Sequence, residues 1–231
     1  MGYLEGKTAV ITGISRGIGR ALAQELLASS VTVIGWGKTA PDYSHKRLHF
    51  VACDITDEAA VAAAERATRE ISPEIDFLIN NAGFGYFQTI EAFEVEQFRR
   101  MIEVNLTGAF LVTKALVPHM KARQSGHIIN ISSIAGRVSA SHGSGYNASK
   151  FGLSGFSEVL FQELRAHGIK STTVYPGSTA TNFFDEIPGF SAHERMVDPR
   201  ELAETVVHLM NTSPNYLVRE IEIRPLWTKK K

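Results

Sequence analysis

Tyr146 and Lys150 stand four residues apart in a stretch, Gly145–His167, with helical apolar spacing, so both belong to one helix face. An ammonium beside a phenol stabilises the phenolate and lowers its pKa from about 10, which suits a general acid or base near neutral pH. The pair gains weight from its company. Ser133 lies thirteen residues before Tyr146 in Ile131-Ser132-Ser133-Ile134-Ala135-Gly136, where a short apolar run ends. Asn80-Asn81-Ala82-Gly83 ends another such run, and Asn105 sits inside a long helical stretch.

A second constellation is Thr12-Gly13-Ile14-Ser15-Arg16-Gly17-Ile18-Gly19, between an apolar strand and a helix. Glycines there allow a sharp turn and a close approach to a pyrophosphate, and the helix N-terminus offers free N–H groups. The residues expected at the dinucleotide are Gly13, Ser15, Arg16, Gly17, Ile18 and Gly19. Gly13-Ile14-Ser15-Arg16-Gly17 also fits the G-x-S-x-G of a hydrolase nucleophile elbow. Its place on the first strand, the extra Gly19 and the lack of a His-Gly-Gly sequence argue against that. Gly6-Lys7-Thr8 resembles a P-loop end but precedes the strand. At the second strand, Val33-Ile34-Gly35-Trp36-Gly37-Lys38 has no carboxylate to hold the 2′-hydroxyl of NAD. Arg16 and Lys38 instead offer two cations to a 2′-phosphate, which favours NADP over NAD.

The elements that position these residues alternate along the chain. Strands are expected at Thr8–Thr12, Val31–Trp36, Leu48–Ala52, Phe77–Asn80, His127–Ile131, Lys170–Tyr175 and Glu220–Ile223. Most are continuous apolar runs, as in parallel strands buried on both faces. Helices are expected at Ile18–Ala28, Asp57–Ile71, Val95–Arg123, Gly145–His167 and Pro199–Met210, the last with Asp198 as N-cap. This predicts an α/β fold: one domain over 1–231, a doubly wound, Rossmann-like sheet of about seven parallel strands. The strand ends carrying Gly13, Asp54, Asn80, Ser133 and Pro176-Gly177 then face one crevice. The eleven residues GKTAPDYSHKR, between Trp36 and Leu48, leave a loop where a crossover helix is usual.

With Thr-Gly-x-x-x-Gly-x-Gly, Asn-Asn-Ala-Gly, Ser and Tyr-x-x-x-Lys in order, the chain resembles the short-chain dehydrogenase/reductase family from Thr12 to about Pro225. The resemblance implies hydride transfer between a nicotinamide cofactor and a carbonyl or alcohol. It makes Tyr146 the proton donor or acceptor, with Ser133 bonded to the substrate oxygen. Lys150 would hold the nicotinamide ribose and lower the Tyr146 pKa, and Asn105 would support a water relay to Lys150. Asp54, with Ile55 beside it, would meet the adenine edge. Asn81, Ala82, Gly83, Pro176 and Gly177 would line the cofactor, with Thr181 near the carboxamide. Relatives pack their long helices across two-fold axes, so a homodimer or homotetramer is expected.

Composition bounds the alternatives. The chain has 231 residues, 44% of them apolar and 21% charged, with 24 basic and 24 acidic side chains. That is ordinary for a soluble globular protein and offers no basic excess for nucleic acid. Lys229-Lys230-Lys231 reads as part of a solvated tail, 226–231. The single cysteine, Cys53, suits a reducing compartment, and the N-terminus carries no signal-peptide pattern, so a cytoplasmic protein is expected. No apolar run reaches the ~18 residues of a membrane span, and no membrane partner is expected. The Asn-x-Ser/Thr triplets at Asn105, Asn130, Asn147 and Asn211 have no meaning as glycan acceptors there. His45 and His49 lack a third ligand, so no metal is expected.

The substrate is read by 182–197, where Phe183, Phe184, Phe190 and Met196 could form an apolar lid. Phe84, Tyr86, Phe87 and His142 are further wall candidates. An aromatic pocket suits an apolar ketone, aldehyde or acyl chain. The resemblance admits 3-oxoacyl reduction, but Glu220–Pro225 lacks a glycine-rich ending, which favours a general carbonyl reductase. The alternative, a dinucleotide-binding sensor or scaffold without turnover, predicts a broken catalytic set. Here all four residues are present.

Overall fold

The structure, a computed structural model, describes residues 3–139, 141–184 and 192–227. The lysine tail lies outside them. In chain order the elements begin β1 (Thr8–Thr12), α1 (Gly17–Ala28), β2 (Thr32–Gly37), β3 (Leu48–Ala52), α2 (Glu58–Ile71) and β4 (Phe77–Asn80). Then come α3 (Val95–Ile102), a π-helical segment (Glu103–Gly108), α4 (Ala109–Arg123), β5 (Gly126–Ile131) and α5 (Ser144–Leu164). β6 (Ile169–Pro176), α6 (Pro199–Met210) and β7 (Glu220–Ile223) complete the fold.

Among the described residues seven strands form one sheet, ordered β3-β2-β1-β4-β5-β6-β7, and every neighbouring pair is parallel. Successive side chains of a strand face opposite ways, which explains the continuous apolar runs. Ala9 and Ile11 join the core under α1 and α6, with Leu22, Leu26, Leu202 and Val206. Val10 joins the core under α2, α4 and α5, with Val61, Leu116 and Leu160. Phe77 and Ile79 repeat the first assignment and Leu78 the second. The strand order reverses between β1 and β4, and the crevice outside their carboxyl ends is where such sheets bind ligands.

Several boundaries differ from the sequence reading. Val31 belongs to the turn after α1, its N–H bonded to the Leu26 carbonyl, and β2 runs on to Gly37. Residues 38–47 contain no helix, as expected. The single helix expected over Val95–Arg123 is interrupted, because Glu103–Gly108 is π-helical around the buried Asn105. The whole of Val95–Arg123 is long and apolar enough to span a membrane by length and composition. Here it is a layer helix, with Met101, Val112, Leu116 and Met120 fully buried and α4 packed on α2 and α5. Asp57 and Asp198 cap α2 and α6, accepting bonds from Ala59 and Ala60 and from Arg200.

A buried polar chain ties the sheet to the helices that carry the site. Asn80 donates to Thr113 Oγ1 at 3.0 Å and to Asn130 Oδ1 at 2.8 Å. Asn130 donates onward to Ser157 Oγ at 3.0 Å, which also takes the Thr173 hydroxyl at 2.6 Å. Asn80 is thus a structural residue joining β4 to α4 and β5. Removing the middle member deletes two buried hydrogen bonds while Asn80 and Ser157 keep Thr113 and Thr173, so Asn130→Ala should lower the unfolding free energy by about 1–3 kcal/mol. Urea denaturation measures it, and a loss below about 0.5 kcal/mol would contradict the role given to the chain.

Candidate active site

The glycine-rich turn owes its shape to backbone that only glycine adopts easily: Gly13 has φ +75° and Gly17 φ +57°. A Cβ on Gly19 would stand 2.1 Å from the Gly13 carbonyl oxygen, which accounts for the third glycine. Arg16, extended at φ −153°, precedes α1, and no side chain caps that helix. Its N-terminus therefore presents unclaimed donors and a partial positive charge to the crevice.

Thr12 and Asn81 clamp this turn to the end of β4. Thr12 Oγ1 accepts from the N–H groups of Asn81 and Ala82, both at 3.0 Å. The Asn81 amide donates back to the carbonyls of Thr12, at 2.9 Å, and Gly13, at 3.0 Å. Thr12 was not among the expected site residues, though its place before the first glycine was a usable signal. The loop after β4 is held in turn by Asn105. Its Oδ1 accepts from the Phe84 N–H at 3.0 Å, and its Nδ2 donates to the Phe84 carbonyl and Ser149 Oγ, both at 2.9 Å. Ser149, also not anticipated, donates to the Tyr146 carbonyl at 2.8 Å. Gly83 separates Asn105 from Lys150, since a Cβ there would be 3.0 Å from Asn105 Oδ1 and 3.4 Å from Lys150 Nζ.

Tyr146 and Lys150 lie on α5 and are buried. Ser133, at the end of β5, hydrogen-bonds the Tyr146 phenol and accepts from the Ala135 N–H at 3.1 Å. Lys150 Nζ donates to the Ile131 carbonyl at 2.9 Å and stands 5.8 Å from the centre of the Tyr146 ring. Burial pushes the phenol up to about 12, opposed by the Ser133 hydrogen bond, and pushes the ammonium down to about 8. This corrects the expectation that Lys150 holds the phenol below its usual value. In this arrangement desolvation sets the direction of the phenol's shift, and the ammonium is turned to a carbonyl.

A cleft of about 510 Å³ runs past these residues. Arg16, Gly17, Ile18 and Asn81 line one part of it, Ser133 and Tyr146 another, with Pro176, Gly177 and Thr181 along the β6 end. Ile134, Ser178, Thr179 and Asn182 line it without having been expected. Gly13, Gly19, Ala82, Gly83, Asn105 and Lys150 stand behind the lining as its support, and Ser15 is also outside it. Lys38 and Asp54 lie apart from the lining and pair with each other at 3.3 Å. Thr56 bonds and the Lys38 ion pair hold the Asp54 carboxyl below the usual range. The Ile55 side chain is in the core beneath α4, where a Cβ on Gly108 would meet it at 2.7 Å.

The aromatics divide. Phe87, Phe183 and His142 line the cleft, and the Phe87 and Phe183 rings stand 5.3 and 5.4 Å from the Tyr146 ring. Phe84 and Tyr86 do not line it; they meet edge to face at 5.4 Å in the Met101 cluster that also holds Phe87 and Phe183, and Met196 is buried. Phe190 and the Phe184 side chain lie outside the described residues. Among the described residues no group of His, Cys, Asp and Glu could hold a metal ion.

Residues 7–190 match the short chain dehydrogenase family. The chain is 36% identical over 180 residues to the oxidoreductase BOA17 of Botryotinia fuckeliana, covering 75% of this chain and 66% of that protein. An alcohol dehydrogenase from Thermococcus sibiricus, complexed with 5-hydroxy-NADP, superposes with a TM-score of 0.86 at 26% identity, over 97% of this chain and 99% of that one. A 3-ketoacyl-(acyl-carrier-protein) reductase from Brucella melitensis, complexed with NADH, does so at 0.84 and 27% identity, over 96% and 98%. With the motifs, the sheet order and these likenesses in agreement, the chain belongs to the short-chain dehydrogenase family, as one of its oxidoreductases.

Proposed function

We propose that this oxidoreductase transfers a hydride between NADP(H) and a carbonyl or alcohol, acting as reductase of an apolar ketone, aldehyde or 3-oxoacyl group. One observation carries the reading: a single cleft meets the uncapped start of α1 and also Ser133 and Tyr146. The left-handed glycines and the free helix N-terminus suit a pyrophosphate, and Pro176, Gly177 and Thr181 suit the nicotinamide end. When bound, the nicotinamide supplies or accepts the hydride. Tyr146 gives its proton to the carbonyl oxygen and Ser133 bonds that same oxygen. A phenol held up near 12 keeps its proton, which suits the reducing direction. Lys150 takes the nicotinamide ribose and its charge favours the phenolate as the proton leaves. Asn105 supports both by holding the Phe84 loop against α5.

Arg16 supports NADP most directly. It lines the cleft and makes no ion pair among the described residues, whereas a 2′-phosphate would compete with Asp54 for Lys38. Phe87, Phe183 and Ile134 favour an apolar substrate. Phe98 on α3, Phe110 on α4, and Phe151 and Val159 on α5 are exposed, which supports a homo-oligomer built on those helices. The lone buried Cys53 thiol fits a reducing, cytoplasmic setting.

Tyr146→Phe should abolish NADPH consumption across a panel of ketones, aldehydes and 3-oxoacyl thioesters while NADPH binding persists. Undiminished turnover in the variant would refute the assignment. Arg16→Ala should raise the KM for NADPH about tenfold and leave that for NADH nearly unchanged, the value of one charge-assisted contact. Wild-type enzyme using NADH as well as NADPH would contradict the cofactor choice.

Lys150 also leaves a thermodynamic signature. Its folded value, about 8, lies below the ordinary 10.5, so the folded protein resists protonation that the unfolded chain accepts. The penalty is full below pH 8 and fades as pH rises towards 10.5. Between pH 7 and pH 10, wild type should therefore gain about 2 kcal/mol of unfolding free energy relative to Lys150→Met. A difference independent of pH in urea titrations would contradict the burial of the charge.

A further inference from the structure

The loop that replaces the usual crossover helix, residues 38–47, is fastened to the glycine-rich turn through one side chain. Tyr43 donates its hydroxyl to the Ile14 carbonyl at 3.1 Å. Its ring packs against the core under α1 and α6, and the Arg20 guanidinium of α1 stands 4.9 Å from the ring centre. Arg20 is itself held by Asp42 of the same loop at 2.6 Å. The residue that receives the bond is tightly placed at its other end too. Ile14 is buried, and a Cβ on Gly35 of β2 would stand 2.0 Å from Ile14 Cδ1. Ile14 lies between left-handed Gly13 and the Ser15-Arg16 step that leads into α1.

We infer that Tyr43 is a positioning residue for the dinucleotide, setting the glycine-rich turn in the shape that receives the pyrophosphate by holding the Ile14 carbonyl. With β2 seating the Ile14 side chain and the loop holding its carbonyl, the peptide between Gly13 and Arg16 has little freedom. Its N–H groups and the start of α1 then meet the phosphate without reordering, which is where preorganisation strengthens binding. Burial raises the Tyr43 phenol to about 12, so it stays a donor at any working pH. The pyrophosphate is common to both nicotinamide dinucleotides, so the effect does not depend on the 2′-phosphate.

The inference rests on the dinucleotide reading above, and Tyr43→Phe separates the two. The variant keeps the ring, its packing and the Arg20 contact, and removes only the hydroxyl. Binding of NADPH and of NADH is titrated by the change in their fluorescence on wild type and variant, alongside steady-state kinetics and the Tm. Both dissociation constants should rise by the same factor, about fivefold, the value of one hydrogen bond of ~1 kcal/mol. kcat at saturating cofactor should hold, with the loss confined to the cofactor KM. Unchanged dissociation constants would overturn the inference, whether or not the Tm falls, since a fall in Tm alone marks a purely structural hydroxyl. Weakening confined to NADPH would also overturn it, by moving the effect to the 2′-phosphate. Wild-type protein that binds neither dinucleotide would sink the functional reading itself.

Discussion

The constraint on which the site depends is the need to satisfy backbone groups where β1 and β4 end side by side. Past Thr12 and Asn80 the two chains part, and their N–H and C=O groups lose the ladder that paired them. Thr12 and Asn81 replace it with four hydrogen bonds between the two loops. The connection continues beyond them. The loop after β4 is gripped by Asn105, Asn105 by Ser149, and Ser149 bonds the Tyr146 carbonyl. A single series of contacts thus fixes the glycine-rich turn relative to the Tyr146 phenol.

The same burial that orders these groups sets their electrostatics. Taking the Tyr146 hydroxyl out of water disfavours its charged form, and taking the Lys150 ammonium out of water disfavours its own. The shifts run in opposite directions, so both favour a neutral pair. The Ile131 carbonyl is the nearest compensation for Lys150, and Ser133 for Tyr146. A buried lysine held in this way lowers stability near neutral pH, a cost expected where residues are arranged for chemistry.

Beside the glycine-rich turn the short β2–β3 connection brings Tyr43 and Asp42 onto α1 and its approach and leaves Lys38 beside Asp54. Arg20 and Lys38 have carboxylate partners, and Arg16 has none among the described residues.

The strands, their parallel order and the crevice were legible in the sequence because they rest on local periodicity: continuous apolar runs, glycines at one turn, and polar residues recurring where runs end. The four residues proposed to react, Asn105, Ser133, Tyr146 and Lys150, stood out by type, order and spacing. What the sequence could not determine was anything set by partners distant along the chain. The break in Val95–Arg123 centres on Asn105, whose side chain bonds Phe84 and Ser149, and helical periodicity carries no trace of that. The Ile55 side chain lies in the core, in the turn between β3 and α2, a placement set by packing against Gly108 far along the chain. Phe84, Tyr86, Phe87 and Phe183 share one cluster, and that only Phe87 and Phe183 of the four line the cleft is decided by the folded loops. The Tyr146 shift, upward and not downward, follows from desolvation, which exists only when the tertiary structure has removed the water. The sequence by itself determined which chemical groups are present and at which strand ends. The tertiary structure alone decided their burial and partners, because those depend on contacts between residues far apart in the chain.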